Sequence, residues 1–385
     1  MASRTTHPVL DTRSLNRATL ARQLLLSRAE MPALDAVAHL LGLQAQNVKP
    51  PYFQLHARLA GFRPAELAGL MESRQVVRMV TMRSTLHTHS AQDALTLRPL
   101  VQAPRDRELG NFRKGLVGVD LERLTGLARA FVEAEPRTMG EIRQELLQHW
   151  PDAEPQALSV AARCRLPLVQ VTPRGVWGRS GQVRLTTVER WLGDVVPSGA
   201  SAGDGAAGGA AEVVEAGVEG LVLRYLRAFG PASVKDMQVW AGLTRLRESF
   251  ERLRPQLAVF RDENGVELFD LPDAPRPSAD TPAPPRFLPE FDNLLLSHAD
   301  RTRVVPADLR GRTWLGNQAY CTLLLDGFLA GLWRLDEGGR LTVDLFGGAT
   351  RQQKEAVAAE GERVLADMTG VASGAGAVRF GSIHG

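Results

Sequence analysis

Cysteine is scarce in this chain: two of 385 residues, Cys164 and Cys321, stand far apart with no Cys-x-x-Cys spacing. That excludes a disulfide framework and a zinc ribbon, and predicts reduced thiols in a cytosolic protein. No run of 18 apolar residues exists, so no membrane-spanning helix is expected. The opening stretch MASRTTHPVLDTRSLNRATLARQ lacks the apolar core of a secretory signal, which points to the cytoplasm. No Walker loop, no Gly-x-Gly-x-x-Gly after a strand and no EF-hand loop occurs, so no cofactor is expected. Ser297, His298 and Asp300 are nearly consecutive rather than convergent, and no Gly-x-Ser-x-Gly elbow accompanies them. A serine-hydrolase triad is thereby excluded. Lysine is rare as well: four of the 46 basic residues, leaving 42 arginines.

Arginine is the better fork for phosphate and guanine edges, although a GC-rich genome produces the same bias. The distribution of charge is more informative. Residues 1–200 carry 26 basic against 18 acidic side chains, and residues 201–385 carry 20 against 25. Codon bias does not move acids to one end of a chain. A positive first half points to a polyanionic partner.

The apolar periodicity predicts an α+β protein of repeated units. Leu15, Leu20, Leu24 and Leu25, then Leu34, Val37, Leu40 and Leu41, recur at helical spacing, and Gly42 stops the second helix. Pro50-Pro51 opens a third helix and Pro64 a fourth; Val76 to Met82 reads as a strand continuing through RSTLHTH. Helices followed by strands is winged-helix order. It recurs as helices at Asp120–Ala134, after Thr138 and at Pro155–Cys164, then LPLVQVTP and VRLTTVERW around a glycine-rich turn. A third round has helices at Val213–Phe229, after Ser233 and at Arg245–Arg254, then LAVFRD and VELFDL joined through Glu263-Asn264-Gly265. The expected division is winged helix 1 over 1–115, winged helix 2 over 116–196, a Gly/Ala-rich linker over 197–211, winged helix 3 over 212–272 and a β-rich C-terminal region over 285–385.

LLGLQAQNVKPPYFQLHARL, VVRMVTMRSTLHTHSAQD, PRGVWGRSGQVRLTTVERWLG, PEFDNLLLSHADRTRVV and LLLDGFLAGLWRL together resemble the AlkZ/YcaQ winged-helix DNA glycosylases, from about residue 14 to about 370. The resemblance implies tandem winged helices around a concave DNA-binding face and excision of N-alkylated purines, interstrand crosslinks among the open possibilities. It also implies double-stranded DNA carrying such purines as partner, and a role in base excision repair or in self-resistance to a DNA-alkylating natural product. A monomer in the cytoplasm, associated with the nucleoid, is expected. The family's Gln-x-Gln or Gln-x-Asp signature corresponds to Gln44-Ala45-Gln46, and glutamine at the second place resembles the AlkZ branch.

Helical i and i+2 side chains diverge, whereas in an extended segment they share a face. Gly42 before the motif and Pro50-Pro51 after it predict a non-helical joint, with Ala45 facing the core and Gln44 and Gln46 facing the cleft. A carboxamide is no general base. It can hold a water beneath C1′ and direct its dipole at an oxocarbenium ion, which suffices when the leaving base is already cationic. Gln46 is expected to orient the water, and Gln44 to share it or contact the sugar. A polar pair capping a helix end is the plainer reading of the same spacing.

Strand alternation would place Arg83, Thr85, His87 and His89 on one face, either binding DNA or forming the polar outside of a wing. His-x-His on a strand can chelate, but with no acid or cysteine at ligand spacing no metal is assigned. Arg174, Arg179 and Arg184 surround Trp177 in a glycine-rich wing and are expected to meet phosphate, with Trp177 as a wedge or packed on its own unit. Arg301 and Arg303 are expected phosphate contacts. The reading from another class is a winged-helix transcriptional regulator or other non-catalytic DNA-binding protein, which the same helices would serve.

Overall fold

The computed structural model describes residues 7–193, 210–316, 318–369 and 378–383. Its first helix, Thr12–Arg22, begins where the Asp11 carboxylate accepts the Ser14 amide at 2.6 Å. Ala33–His39 follows, and prolines open Pro50–Arg58 and Pro64–Glu72 at their first turns. Gly42, at φ +90°, turns the chain out of the second helix into the short strand Leu43–Gln44. The strand expected from Val76 through RSTLHTH is broken in two. Val76–Val80 and Leu86–Ser90 pair antiparallel around a 3₁₀ turn at Met82–Ser84, where Arg83 and Ser84 take φ of +53° and +58°.

The second set of helices is Leu121–Ala134, Met139–His149 and Pro155–Arg165. Thr138 and Glu141 form a reciprocal capping box at the middle one. Strand Leu168–Gln170 pairs with Leu185–Thr187, but VRLTTVERW does not stay extended. The Thr187 hydroxyl caps a short helix, Val188–Leu192. The third set comprises Ala210–Phe229, Val234–Ala241 and Arg247–Leu253, then the hairpin Ala258–Asp262 with Glu267–Asp270. Of the 197–211 stretch read as a linker, the described residues are 210 and 211, which belong to the first of these helices; the rest lies outside the described residues.

The sets are not beads on a string. One five-stranded sheet runs Leu43–Gln44, Leu86–Ser90, Val76–Val80, Leu168–Gln170, Leu185–Thr187, joining the first set to the second. Val9–Leu10, at the other end of the chain, adds in parallel to the third set's hairpin. The C-terminal sheet has Leu341–Leu345 between Val378–Phe380 and Phe328–Leu335, then Cys321–Leu325 and Arg286–Leu288 at the far edge. Phe287, Leu323, Trp333 and Val343 on it form one core with Leu55, Tyr52 and Leu67 of the first helices and with Val364 and Leu365 of the final helix Arg351–Thr369. This region is thus built into the first helices rather than attached after them. Arg58 and Asp292, both fully buried, fasten the two with a bidentate pair at 2.7 and 2.8 Å. No helix among the described residues is long and apolar enough to cross a membrane.

Candidate active site

Leu43–Gln44 lies antiparallel to Leu86–Ser90, with Gln44 opposite His87. The Ala45 amide prolongs the ladder by donating to Leu86 O at 2.8 Å. The next acceptor is not backbone: the Leu86 amide donates to Gln46 Oε1 at 2.9 Å. A side chain thus ends the strand, and the extended joint is real. Ala45 is fully buried, and its carbonyl accepts from Arg78 Nη2 at 2.9 Å.

The two glutamines occupy different surroundings. Gln46 is exposed and borders a cleft of about 900 Å³, with Asn47, Lys49, Phe53, Glu290, Tyr320 and Trp333 among its walls. Gln44 is 4 % exposed and does not line that cleft. Its backbone carbonyl accepts from Gln54 Nε2 at 3.0 Å, and its Oε1 accepts from Arg83 Nη2 at 2.5 Å. Both carboxamides have an oxygen already engaged, so each has its NH₂ to offer, together with the second lone pair of its carbonyl.

Arg83 reaches Gln44 because the left-handed turn carries it out of the strand; its other nitrogen donates to Trp240 O. It is therefore not a member of an outward row. Burial, with Arg301 nearby, lowers its pKa to about 10. Among the described residues no side-chain hydrogen bond or ion pair occupies Arg301, which stands half-buried in a second cleft of about 720 Å³ with Lys235, Arg247 and Arg310. His87 and His89 do share a face, with ring centroids 5.6 Å apart, but that face is turned inward: they are 2 % and 0 % exposed. His87 Nδ1 bonds the Thr85 carbonyl oxygen at 2.9 Å, and His89 Nε2 bonds Thr81 Oγ1 at 2.8 Å. Burial holds His87 well below the usual imidazole range and His89 at about 4, so both are neutral at pH 7. Thr85 closes its own turn on Met82 O at 3.0 Å.

The glycine-rich wing is likewise partly committed. Arg184 spends its guanidinium on the Pro136 carbonyl at 2.6 and 2.9 Å. Arg179 is exposed and pairs with Glu72 at 3.1 Å. Arg174 is half-buried beside Arg78, its Nε without a partner among the described residues. Trp177 packs on Tyr52 at 4.8 Å between ring centres, so it is a packed ring rather than a free wedge. Arg303 is buried, donating to Pro231 O at 2.7 Å and to Thr19 Oγ1 at 3.2 Å; its role is to join elements. Of the expected surface cations, Arg174, Arg179, Arg184 and Arg301 keep access to solvent, Arg184 with its guanidinium already bonded to the Pro136 carbonyl, whereas Arg303 is buried.

Glu290, Phe291 and Tyr320 were not singled out from the sequence. They lie more than 240 residues from Gln46, and spacing carries no trace of a contact made through a sheet edge. Asn47 Nδ2 donates to Glu290 Oε1 at 2.9 Å, bringing that carboxylate beside the motif.

Residues 37–366 match the family model of the AlkZ-like DNA glycosylases. The solved structure of Streptomyces sahachiroi DNA glycosylase AlkZ shares the fold, with a TM-score of 0.75 at 19% identity, covering 97% of this chain and 100% of that one. A comparison with curated proteins produces no match. Motif, fold and family model agree, and the chain belongs to the AlkZ-like family of DNA glycosylases.

Proposed function

We propose that this DNA glycosylase excises bulky N-alkylated purines, crosslinked ones included, by hydrolysis at a water that Gln46 orients on the cleft, with Gln44, held by Arg83, set behind it. The observation that carries the reading is the placement of Gln46: exposed on a roomy cleft, yet fixed by the Leu86 amide. An N7- or N3-alkylpurine is positively charged. When its bond to C1′ breaks, the electron pair goes to the base and neutralises it, and the sugar becomes an oxocarbenium ion. Water adds at C1′, its proton passes to solvent, and an abasic site remains. Neutral amides supply position and dipole for that step rather than proton transfer. An unmodified base, lacking the charge, stays in place.

The three helical sets would act as winged helices around a concave face on DNA, with Arg174, Arg179 and Arg301 meeting phosphate. The protein would work as a cytoplasmic monomer on the nucleoid, in base excision repair or in self-resistance to an alkylating natural product. Incubation with N7-alkylguanine duplex followed by alkali should cut the strand at the lesion. Gln46→Ala should abolish the cut and retain DNA binding. Sequence-selective binding without cleavage would instead favour a regulator.

A further inference from the structure

The cleft beside Gln46 contains a carboxylate with no cationic partner among the described residues. Glu290 is half-buried, and each oxygen accepts one neutral donor: Asn47 Nδ2 at 2.9 Å and the Cys321 thiol at 3.1 Å. A carboxylate offers about four acceptor positions, so the rest remain available. Its place is rigid. Two residues before it, the Leu288 carbonyl accepts from Trp333 Nε1 at 2.9 Å; two residues after it, Asp292 is clamped by Arg58. Phe291, between Glu290 and Asp292, has φ +61°, a left-handed conformation costly for a bulky aromatic residue. Such strain is characteristic of functional sites, where surrounding structure compels it. The remaining walls include Phe291 and Tyr320, partly exposed, with Phe53 and Trp333 packed behind them, an aromatic lining suited to a large planar group. Lys49 and Arg334 also border the cleft, but both are exposed, as phosphate contacts would be.

We infer that this cleft receives the extrahelical base and that Glu290 selects for positive charge there, holding a cationic alkylpurine and the oxocarbenium ion that follows it. The inference rests on the glycosylase reading above and deepens it. Neutral amides tolerate a cation, whereas an uncompensated carboxylate prefers one. The aromatic walls then accommodate the appendage of the lesion, and the anion excludes neutral bases of the same shape.

The test uses full-length protein and two duplexes, one with a pyrrolidine abasic analogue, cationic at neutral pH, the other with neutral tetrahydrofuran. Wild type should prefer the cationic duplex at least about tenfold, Glu290→Gln should lose the preference, and Glu290→Asp should recover part of it. Single-turnover release of 7-methylguanine should fall about 100-fold in Glu290→Gln. Absence of a cationic preference in wild type overturns the inference without any variant having to fold. So does an undiminished preference in Glu290→Gln. If wild type releases no damaged base at all, the glycosylase chemistry fails instead, whichever abasic analogue it prefers.

Discussion

Arg83 donates from Nη2 to Gln44 Oε1 at 2.5 Å while its other nitrogen holds the Trp240 carbonyl. One guanidinium thus ties the first glutamine of the motif to a helix of the third set, Val234–Ala241. A lysine at this place keeps the charge but cannot bridge two acceptors in a plane. Arg83→Lys should therefore lower the excision rate about tenfold or more, with DNA affinity changed much less. Single-turnover rates beside equilibrium binding to undamaged duplex give the comparison; a proportional fall in both would show that Arg83 acts on DNA and not on Gln44.

The buried Arg58–Asp292 pair predicts a stability effect separate from chemistry. Asp292→Ala leaves a guanidinium at 0 % side-chain exposure without its counter-ion, although the Gln54 carbonyl and Gln23 still accept from it. Loss of one partner from such a pair costs about 3–5 kcal/mol. Urea unfolding should show an earlier midpoint and an unfolding free energy lowered by that amount; an unchanged midpoint would mean the two regions are held by apolar packing alone.

Gly42 has no room for a side chain. A Cβ there would fall 2.3 Å from the His89 ring, at a φ of +90°. Gly42→Ala should destabilise the protein by about 2–3 kcal/mol. It should also disturb the strand Leu43–Gln44, so excision at low temperature should fall even where the protein remains folded. Calorimetry and a rate at 10 °C would separate the two effects.

Acid should weaken the fold through its buried histidines. His89 is held at about 4, and burial also depresses His87 and His298, while an unfolded histidine titrates near 6.5. Between those values the unfolded chain binds protons that the native state refuses. Stability is thus complete above about pH 6.5 and declines as pH falls towards 4. Each such histidine contributes a slope of about 1.4 kcal/mol per pH unit. Denaturant midpoints measured from pH 7.5 to 5 should be flat and then fall; a flat profile throughout would contradict it.

Most helices were legible because their boundaries are local chemistry. Thr138 and Ser233 cap, Pro50, Pro64 and Pro155 open, and Gly42 closes. The extended Gln44-Ala45-Gln46 joint was legible for the same reason. RSTLHTH was not, because strand alternation alone cannot reveal that Arg83 and Ser84 adopt left-handed angles, nor that the His87 and His89 face is covered. Arg184 and Arg303 reached carbonyls at Pro136 and Pro231, partners no residue type announces. Glu290 escaped notice because its meaning comes from Asn47 across the fold.

Tyr52, on the helix that follows the motif, donates its hydroxyl to the Gly175 carbonyl at 2.7 Å, and Arg78 touches both Ala45 O and Gln170 Oε1. These bonds tie the loop that carries Arg174 and Arg179 to the strand that carries Gln44. On the proposed reading, the arginines that would meet phosphate and the glutamine that would orient the water are joined through shared partners. Much of the adjustment that brings a damaged nucleotide to Gln46 would then come from bending and unstacking of the DNA, and duplexes already loosened by damage would be served first.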